Sequence, residues 1–91
     1  MAKARITEEA REDLENIYFE LSEYSSSYAQ DWIDDFFHQV EVIEKFPYLG
    51  KVSPTIALKP LRKINVGKYT VYYVVVMEEI WVLGIKYSGF K

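Results

Sequence analysis

Hydrophobic residues in the first part of the chain recur at the spacing of an α-helix. Thr7 stands where an N-cap belongs, and the glutamates that follow it suit the positive end of a helix dipole. The apolar positions share one face: Ala10, Leu14, Ile17, Tyr18 and Leu21. The pattern predicts an amphipathic helix that ends near Tyr24.

A second helical pattern follows the run Ser25-Ser26-Ser27, which breaks the first helix and offers a hydroxyl cap. Pro47 predicts its end, because the residue before a proline avoids the α region. Its apolar stripe is Ala29, Trp32, Ile33, Phe36, Phe37, Val40 and Ile43. Two long helices joined by a short serine turn predict an antiparallel αα-hairpin.

After an irregular connection over Tyr48–Pro60, the hydrophobic period changes from 3.6 to 2. The predicted strands are Ala4–Ile6, Leu61–Val66, Tyr69–Met77 and Ile80–Tyr87, with turns at Gly67-Lys68 and Glu78-Glu79. We therefore predict one α+β domain over residues 1–91: a short N-terminal strand, then a two-helix hairpin packed on one face of a C-terminal antiparallel three-stranded meander.

Two-residue turns at both hairpins would fix which residues share a face of this sheet. The bulkier side, expected to lie under the helices, carries Leu61, Tyr72, Val74, Val76, Trp81, Leu83 and Ile85. The other side carries Arg62, Ile64, Tyr69, Val71, Tyr73, Val82, Gly84 and Lys86. Its cations and tyrosines suit phosphate, carboxylate or base contacts. An ordinary solvated sheet face is the alternative interpretation.

Charge is distributed unevenly along the chain, whose formal net charge is −3. The first 50 residues hold four Lys or Arg and twelve Asp or Glu, whereas the rest hold seven and two, giving −8 and +5. A basic C-terminal half points to an anionic partner there, despite the overall sign.

The composition argues against several kinds of site. Without cysteine, the chain forms no disulfide scaffold and no thiolate zinc site. His38 is the one histidine, and the carboxylates Asp34, Asp35, Glu41 and Glu44 fit a solvated helix face. We expect no metal and no cofactor. The sequence shows neither a secretory h-region nor a membrane-length apolar run, so we expect a soluble cytoplasmic domain without membrane contact.

Motifs along nearly the whole chain resemble the RelE/ParE superfamily of type II toxin–antitoxin toxins, especially its ParE-like branch. The resemblance lies in the order and spacing of these segments: Thr7-Glu8-Glu9-Ala10, Asp13-Leu14, Ile17, the second helix from Ala29, Phe46-Pro47-Tyr48-Leu49-Gly50-Lys51, Leu61-Arg62, Tyr69-Thr70-Val71-Tyr72-Tyr73 and Ile80–Ile85. It implies a helical hairpin on an antiparallel sheet. It also implies a cognate antitoxin that neutralises the chain in a hetero-oligomer.

Two activities occur in that superfamily, inhibition of DNA gyrase by ParE-like members and ribosome-dependent mRNA cleavage by RelE-like members. Arg62 matches the family's strand arginine, while Tyr87 stands where many members have histidine. The basic residues that often follow are absent from the tail Ser88-Gly89-Phe90-Lys91. The resemblance therefore favours gyrase, with the nuclease second and an inactive antitoxin-binding member third.

Candidate site residues follow from these readings. For binding a partner or a nucleic acid they are Arg62, Lys63, Tyr69, Tyr73 and Lys86. For RNA cleavage, Lys86 or Tyr87 would activate the 2′-hydroxyl, and Arg62 with Lys63 would stabilise the developing phosphorane charge.

Overall fold

Two helices and five strands form the part of the chain that the computed structural model describes, residues 2–53 and 60–89. In chain order they are β1 (Lys3–Ile6), α1 (Glu8–Ser22), α2 (Ser26–Lys45), β2 (Lys51–Val52), β3 (Arg62–Val66), β4 (Tyr69–Val76) and β5 (Glu79–Tyr87). Residues 54–59, part of the connection predicted over Tyr48–Pro60, lie outside the described residues. In the described ranges, neither helix is long and apolar enough to cross a membrane.

Both predicted helix caps are confirmed. The Thr7 hydroxyl accepts a hydrogen bond from the Ala10 N–H and donates one to the Val82 carbonyl at 2.9 Å. It therefore caps α1 and also fixes the start of the helix to β5. The Ser25 hydroxyl accepts from the Tyr28 N–H at 3.2 Å and caps α2.

The sheet has the order β1-β5-β4-β3-β2. The predicted fold class is confirmed, with the antiparallel meander β3-β4-β5 at its centre. The structure extends this meander at both edges: β1 pairs with β5 in parallel, and β2 pairs with β3 antiparallel. β2 lies within the connection over Tyr48–Pro60 that the sequence predicts to be irregular.

The two hairpin turns differ in how well the sequence predicts them. Gly67 has the positive φ, 59°, that a type II′ turn needs at its first central residue, and Val66 pairs with Tyr69 as predicted. The predicted position of the second turn is wrong by one residue, because its central residues are Met77 and Glu78 and not Glu78 and Glu79. Their φ values are 50° and 66°, a conformation that neither residue type signals.

The predicted assignment of the sheet faces is also wrong over most of the sheet. The helices cover a face that includes Tyr73 and Val71 on β4, and Tyr72 lies on the opposite side. Sheet residues buried at 3% exposure or less are Val66, Val71, Tyr73, Ile80, Val82 and Ile85. β4 is apolar on both sides, so its own pattern does not identify the covered face.

A β-bulge at Leu83 explains why the prediction is correct at the end of β5. Tyr73 pairs with Val82, but Tyr72 pairs with Gly84, so Leu83 is an additional residue on β5. Beyond the bulge the alternation reverses. Ile85 therefore turns toward the helices and Lys86 turns away from them, as predicted.

Candidate partner-binding surface

The side of the sheet turned away from the helices, called the open face below, carries a row of cations beside an aromatic ring. Lys51 pairs with Lys63, which pairs with Tyr72 across β4. Directly opposed residues of antiparallel strands point to the same side. These three residues line a shallow hollow of about 430 Å³ together with Asn65, Thr70 and Ser88. Lys86, paired with Thr70, lies in the adjacent row.

The lysines of this surface form no ion pair with a carboxylate in the described part of the chain. The ion pairs found in residues 2–53 and 60–89 join Arg5 to Glu79 at 3.2 Å and Arg11 to Glu8 at 3.6 Å. Lys51, Lys63 and Lys86 take part in neither. Their charge is therefore available to an anionic partner.

The margin of the open face next to α1 is acidic. Glu9, Glu12 and Asp13 line a second hollow, of about 380 Å³, with Tyr72 and Lys86 among the residues opposite. Asp13 has a structural role, because its Oδ2 accepts a hydrogen bond from the Ile85 N–H at 3.0 Å. That carboxylate satisfies the edge of β5 where β1 no longer pairs with it.

Arg62 does not belong to the open face, contrary to the prediction that placed it there with Lys86. Its guanidinium donates to the Gly50 carbonyl at 2.9 Å and the Tyr48 carbonyl at 3.3 Å. It also lies 5.0 Å from the centre of the Tyr48 ring. The predicted binding cation is thus held by the loop that follows α2.

Tyr73 completes this contact and is not the exposed binding residue that the sequence predicted. Its side chain is fully buried; its hydroxyl donates to the Pro47 carbonyl and accepts from the Gly50 N–H, both at 2.8 Å. Burial raises the pKa of Tyr73, while the Gly50 hydrogen bond and the Arg62 charge act in the opposite direction. We call Arg62, Tyr73 and the loop 47–50 the loop latch.

Gly50 shows how closely the loop latch packs. A Cβ at this position would lie 2.6 Å from the Tyr73 hydroxyl and 3.0 Å from the Lys63 carbonyl oxygen. The segment Phe46-Pro47-Tyr48-Leu49-Gly50-Lys51, which contributes to the family resemblance, therefore has a structural explanation. Its backbone satisfies Tyr73 and Arg62.

The remaining predicted tyrosines lie on the helix side of the sheet and not beside Lys63 or Lys86. Tyr69 packs edge-on against Trp32 with ring centres 5.3 Å apart, and against Tyr87 at 5.4 Å. Burial is the largest cause that raises the pKa of Tyr69. Neither Tyr69 nor Tyr87 shares the open face with the lysines.

Three of the residues proposed for RNA cleavage, Arg62, Lys86 and Tyr87, do not converge. Arg62 pairs with Tyr73, whereas Lys86 pairs with Thr70, three positions away on β4 and on the opposite face. Three residues of strand span about 10 Å. Tyr87 points to the helix side, away from Lys86. No single phosphate would contact all three groups in this arrangement.

Sequence reasoning assigned Tyr72 to the wrong face and did not select Lys51. β3 does carry a usable signal, because Ile64 and Val66 alternate with the polar Lys63 and Asn65. That alternation places the Lys63 side toward solvent. The pairing of Lys51 with Lys63 has no equivalent signal, since β2 is a two-residue strand.

The helix carboxylates follow the solvated interpretation, apart from Glu44. Asp34, Asp35 and Glu41 are exposed, as is His38. Glu44 is half-buried, and its Oε2 accepts a hydrogen bond from the Ala4 N–H at 3.0 Å. It therefore holds β1 against the end of α2.

Comparison with known proteins identifies the family to which the chain belongs. The family model of the ParE toxin of type II toxin–antitoxin systems, parDE, matches residues 4–89. The chain belongs to the ParE toxin family. Membership confirms the resemblance seen in the sequence and implies an antitoxin partner. This ParE fold is shared with a solved structure, the chromosomal ParDE toxin–antitoxin system from P. aeruginosa.

That structure superposes on the chain with a TM-score of 0.79 over 96% of each chain, at 21% sequence identity. At this level of identity the likeness shows the common fold. A search of curated proteins found no significant match to the chain.

Proposed function

We propose that this chain inhibits DNA gyrase and that its antitoxin keeps it inactive in a cytoplasmic hetero-oligomer. The family match over residues 4–89 is the observation that carries the proposal. It favours the ParE-like activity over the RelE-like one among the activities of this superfamily.

The positions of the basic residues support gyrase inhibition over mRNA cleavage. Cleavage without a metal needs a proton acceptor near the 2′-hydroxyl and cations near the same phosphate. Here the Arg62 guanidinium is occupied by the Tyr48 and Gly50 carbonyls, and Lys86 lies on the other face of the sheet. This geometry does not bring Arg62 and Lys86 to one phosphate.

The open face supports the antitoxin part of the proposal. Lys51, Lys63 and Lys86 make no ion pair within the described ranges, and Tyr72 lies among them. An acidic segment of the antitoxin would contact these lysines and pack on the tyrosine ring. Charge of this kind chiefly sets the association rate and the specificity for a partner.

A gyrase assay with the purified chain tests the proposed activity. We expect the chain to inhibit supercoiling of a relaxed plasmid by gyrase, and we expect prior addition of the antitoxin to restore it. In a bacterial host, induction without antitoxin should stop growth and leave plasmids relaxed. Topoisomerase IV assayed in parallel serves as a control for non-specific inhibition.

Other outcomes would identify the alternatives. The nuclease activity would be indicated if growth stops while plasmid supercoiling stays normal and mRNA is cut at positions set by the ribosome. Normal growth would indicate a member that only binds antitoxin, provided that the folded chain reaches the cellular concentration at which an active toxin stops growth.

A further inference from the structure

A second surface lies at the end of the molecule where the turn between the helices meets the β3–β4 turn. It is a cleft of about 680 Å³. Its lining contains four tyrosines and two glutamates: Tyr24, Tyr28, Tyr69, Tyr87, Glu20 and Glu23. We call it the tyrosine cleft. None of the open-face lysines lines it.

The floor of the tyrosine cleft is fixed by packing and hydrogen bonds. Tyr69 is held edge-on between Trp32 and Tyr87, at 5.3 and 5.4 Å between ring centres. The Ser88 N–H and hydroxyl both donate to the Lys68 carbonyl, at 2.8 and 2.9 Å, and so hold the end of β5 beside the turn. The Tyr69 and Tyr87 rings are therefore positioned before any ligand arrives.

The rim is exposed and aromatic. Tyr24 and Tyr28 have 87% and 50% of their surface exposed, and Tyr87 has 64%. Three exposed phenol rings grouped at the edge of one cleft are typical of an interaction site. Each ring presents a face of negative electrostatic potential.

The lining of the cleft has a net negative charge, because it contains two glutamates and one lysine, Lys68. In the described part of the chain, neither Glu20 nor Glu23 forms an ion pair. Lys68 also lines the cleft, but its ammonium is not paired with either glutamate there. The charge of Glu20 is the second cause, after burial, that raises the pKa of Tyr69. The lining thus favours a cation.

We propose that the tyrosine cleft binds the guanidinium group of an arginine side chain presented by a partner protein. A guanidinium is planar, weakly hydrated and able to stack on tyrosine while donating hydrogen bonds to carboxylates. A lysine ammonium is compact and strongly hydrated, so it gains less from these rings. The cleft therefore selects a partner group opposite in charge to the one that suits the open face.

An NMR titration of the free chain tests this assignment without depending on gyrase or on the antitoxin. N-acetyl-L-arginine amide is added at constant ionic strength while the tyrosine ring resonances are followed. We expect saturable shifts at Tyr69 and Tyr87. N-acetyl-L-citrulline amide has nearly the same shape without the charge, and it should cause no saturable shift. N-acetyl-L-lysine amide and tetramethylammonium should bind at least about threefold more weakly than N-acetyl-L-arginine amide.

Variants then separate charge from rings. Glu20→Gln with Glu23→Gln should weaken arginine amide about fivefold, whereas the control Glu15→Gln on the same helix should not. Tyr87→Leu should weaken binding about threefold, and Tyr18→Leu, outside the cleft, should leave it unchanged. Circular dichroism verifies that each variant is folded.

The proposal is overturned if citrulline amide produces the same shifts as arginine amide, or if arginine amide produces none. The guanidinium assignment would be overturned if N-acetyl-L-lysine amide or tetramethylammonium binds as tightly as N-acetyl-L-arginine amide. Unchanged affinity in the double glutamine variant would show that the carboxylates do not hold the cation.

Discussion

The two faces of the central sheet use similar residues for different purposes. On the helix-covered face, Arg62 and Tyr73 direct their polar groups at backbone atoms of the loop 47–50. On the open face, Lys63 and Lys86 have no ion-pair partner in the described residues. Arg62 and Lys63 are neighbours in sequence, but Arg62 has a structural role and Lys63 has the binding role that we propose. The face, and not the residue type, decides which.

Energetics explain this division. A buried hydroxyl or guanidinium without partners destabilises a fold, so the groups of the loop latch are satisfied within the protein. Lysines that reach solvent and form no ion pair contribute little to folding, because solvent screens their charge. Substitutions on the two faces should consequently separate effects on stability from effects on binding.

Gly50→Ala should produce the largest loss of stability. The added Cβ would lie 2.6 Å from the Tyr73 hydroxyl and 3.0 Å from a strand carbonyl, so the loop latch must open. We expect the free energy of unfolding to fall by about 3 kcal/mol, or roughly 15 °C in melting temperature. Thermal unfolding followed by circular dichroism measures this.

Gly84→Ala is the matched control on the other side of the sheet. Its Cβ would be 3.4 Å from the Asp13 Oδ2, an ordinary contact distance, so we expect a small change. Equal losses in the two variants would show that the loop latch is not specially constrained.

Tyr73→Phe should have the next largest effect. It removes one buried hydroxyl and leaves the Gly50 N–H and the Pro47 carbonyl without that partner. The expected loss is about 2 kcal/mol in the free energy of unfolding. Tyr72→Phe, one position away on the open face, should change stability by less than about 0.5 kcal/mol. Urea unfolding of both variants should reproduce this order; a reversed order would contradict the assignment of the two faces.

Alkaline pH should lower the free energy of unfolding through the buried tyrosines of the helix-covered face. Burial raises the folded-state pKa of Tyr73 above the ordinary value of 10, so folding favours the protonated phenol. That contribution is complete below pH 10 and is lost as the pH rises through the folded pKa. The free energy of unfolding should fall above pH 10, by at most about 1.4 kcal/mol per pH unit for one proton.

Tyr73→Phe should reduce the steepness of this fall, and Tyr69 should account for part of the remainder because its pKa is raised too. Urea unfolding at several values between pH 8 and 11 gives the slope. A slope identical in Tyr73→Phe and the wild-type chain would contradict a role for this phenol.

Arg62→Met should have the smallest of these effects on stability. It removes two hydrogen bonds to loop carbonyls and the contact with the Tyr48 ring, all partly exposed. We expect a loss of about 1 kcal/mol, with no loss for Lys63→Met. Comparable losses in both variants would remove the distinction drawn between the two neighbours.

The helices and their caps were predictable from sequence because each depends on local chemistry. Thr7 and Ser25 are good N-caps wherever they precede an amphipathic stretch. The strands of the meander were predictable for a similar reason, through alternation and the glycine at position 67. The family resemblance implied the same helical hairpin on an antiparallel sheet.

The faces of the sheet were not predictable from β4, since tyrosines and valines occupy both of its sides. The turn at Met77 and Glu78 lacks a glycine or asparagine signature. Leu83 adds a bulge whose one local sign is the glycine that follows it in β5, and a glycine alone does not fix the position of a bulge. These two features move residues between faces. They explain why Tyr73 was expected outside and Tyr72 inside, while Lys86 was placed correctly.

Antitoxin affinity tests most directly the central claim that the open face is the partner-binding surface. Lys63→Gln with Lys86→Gln removes two open-face charges, and Arg11→Gln with Lys45→Gln removes two charges from the helices. Isothermal titration calorimetry with the purified antitoxin should give a Kd raised about tenfold in the first variant and unchanged in the second, with unaltered melting temperatures. Equal affinity of the two double variants would contradict the claim.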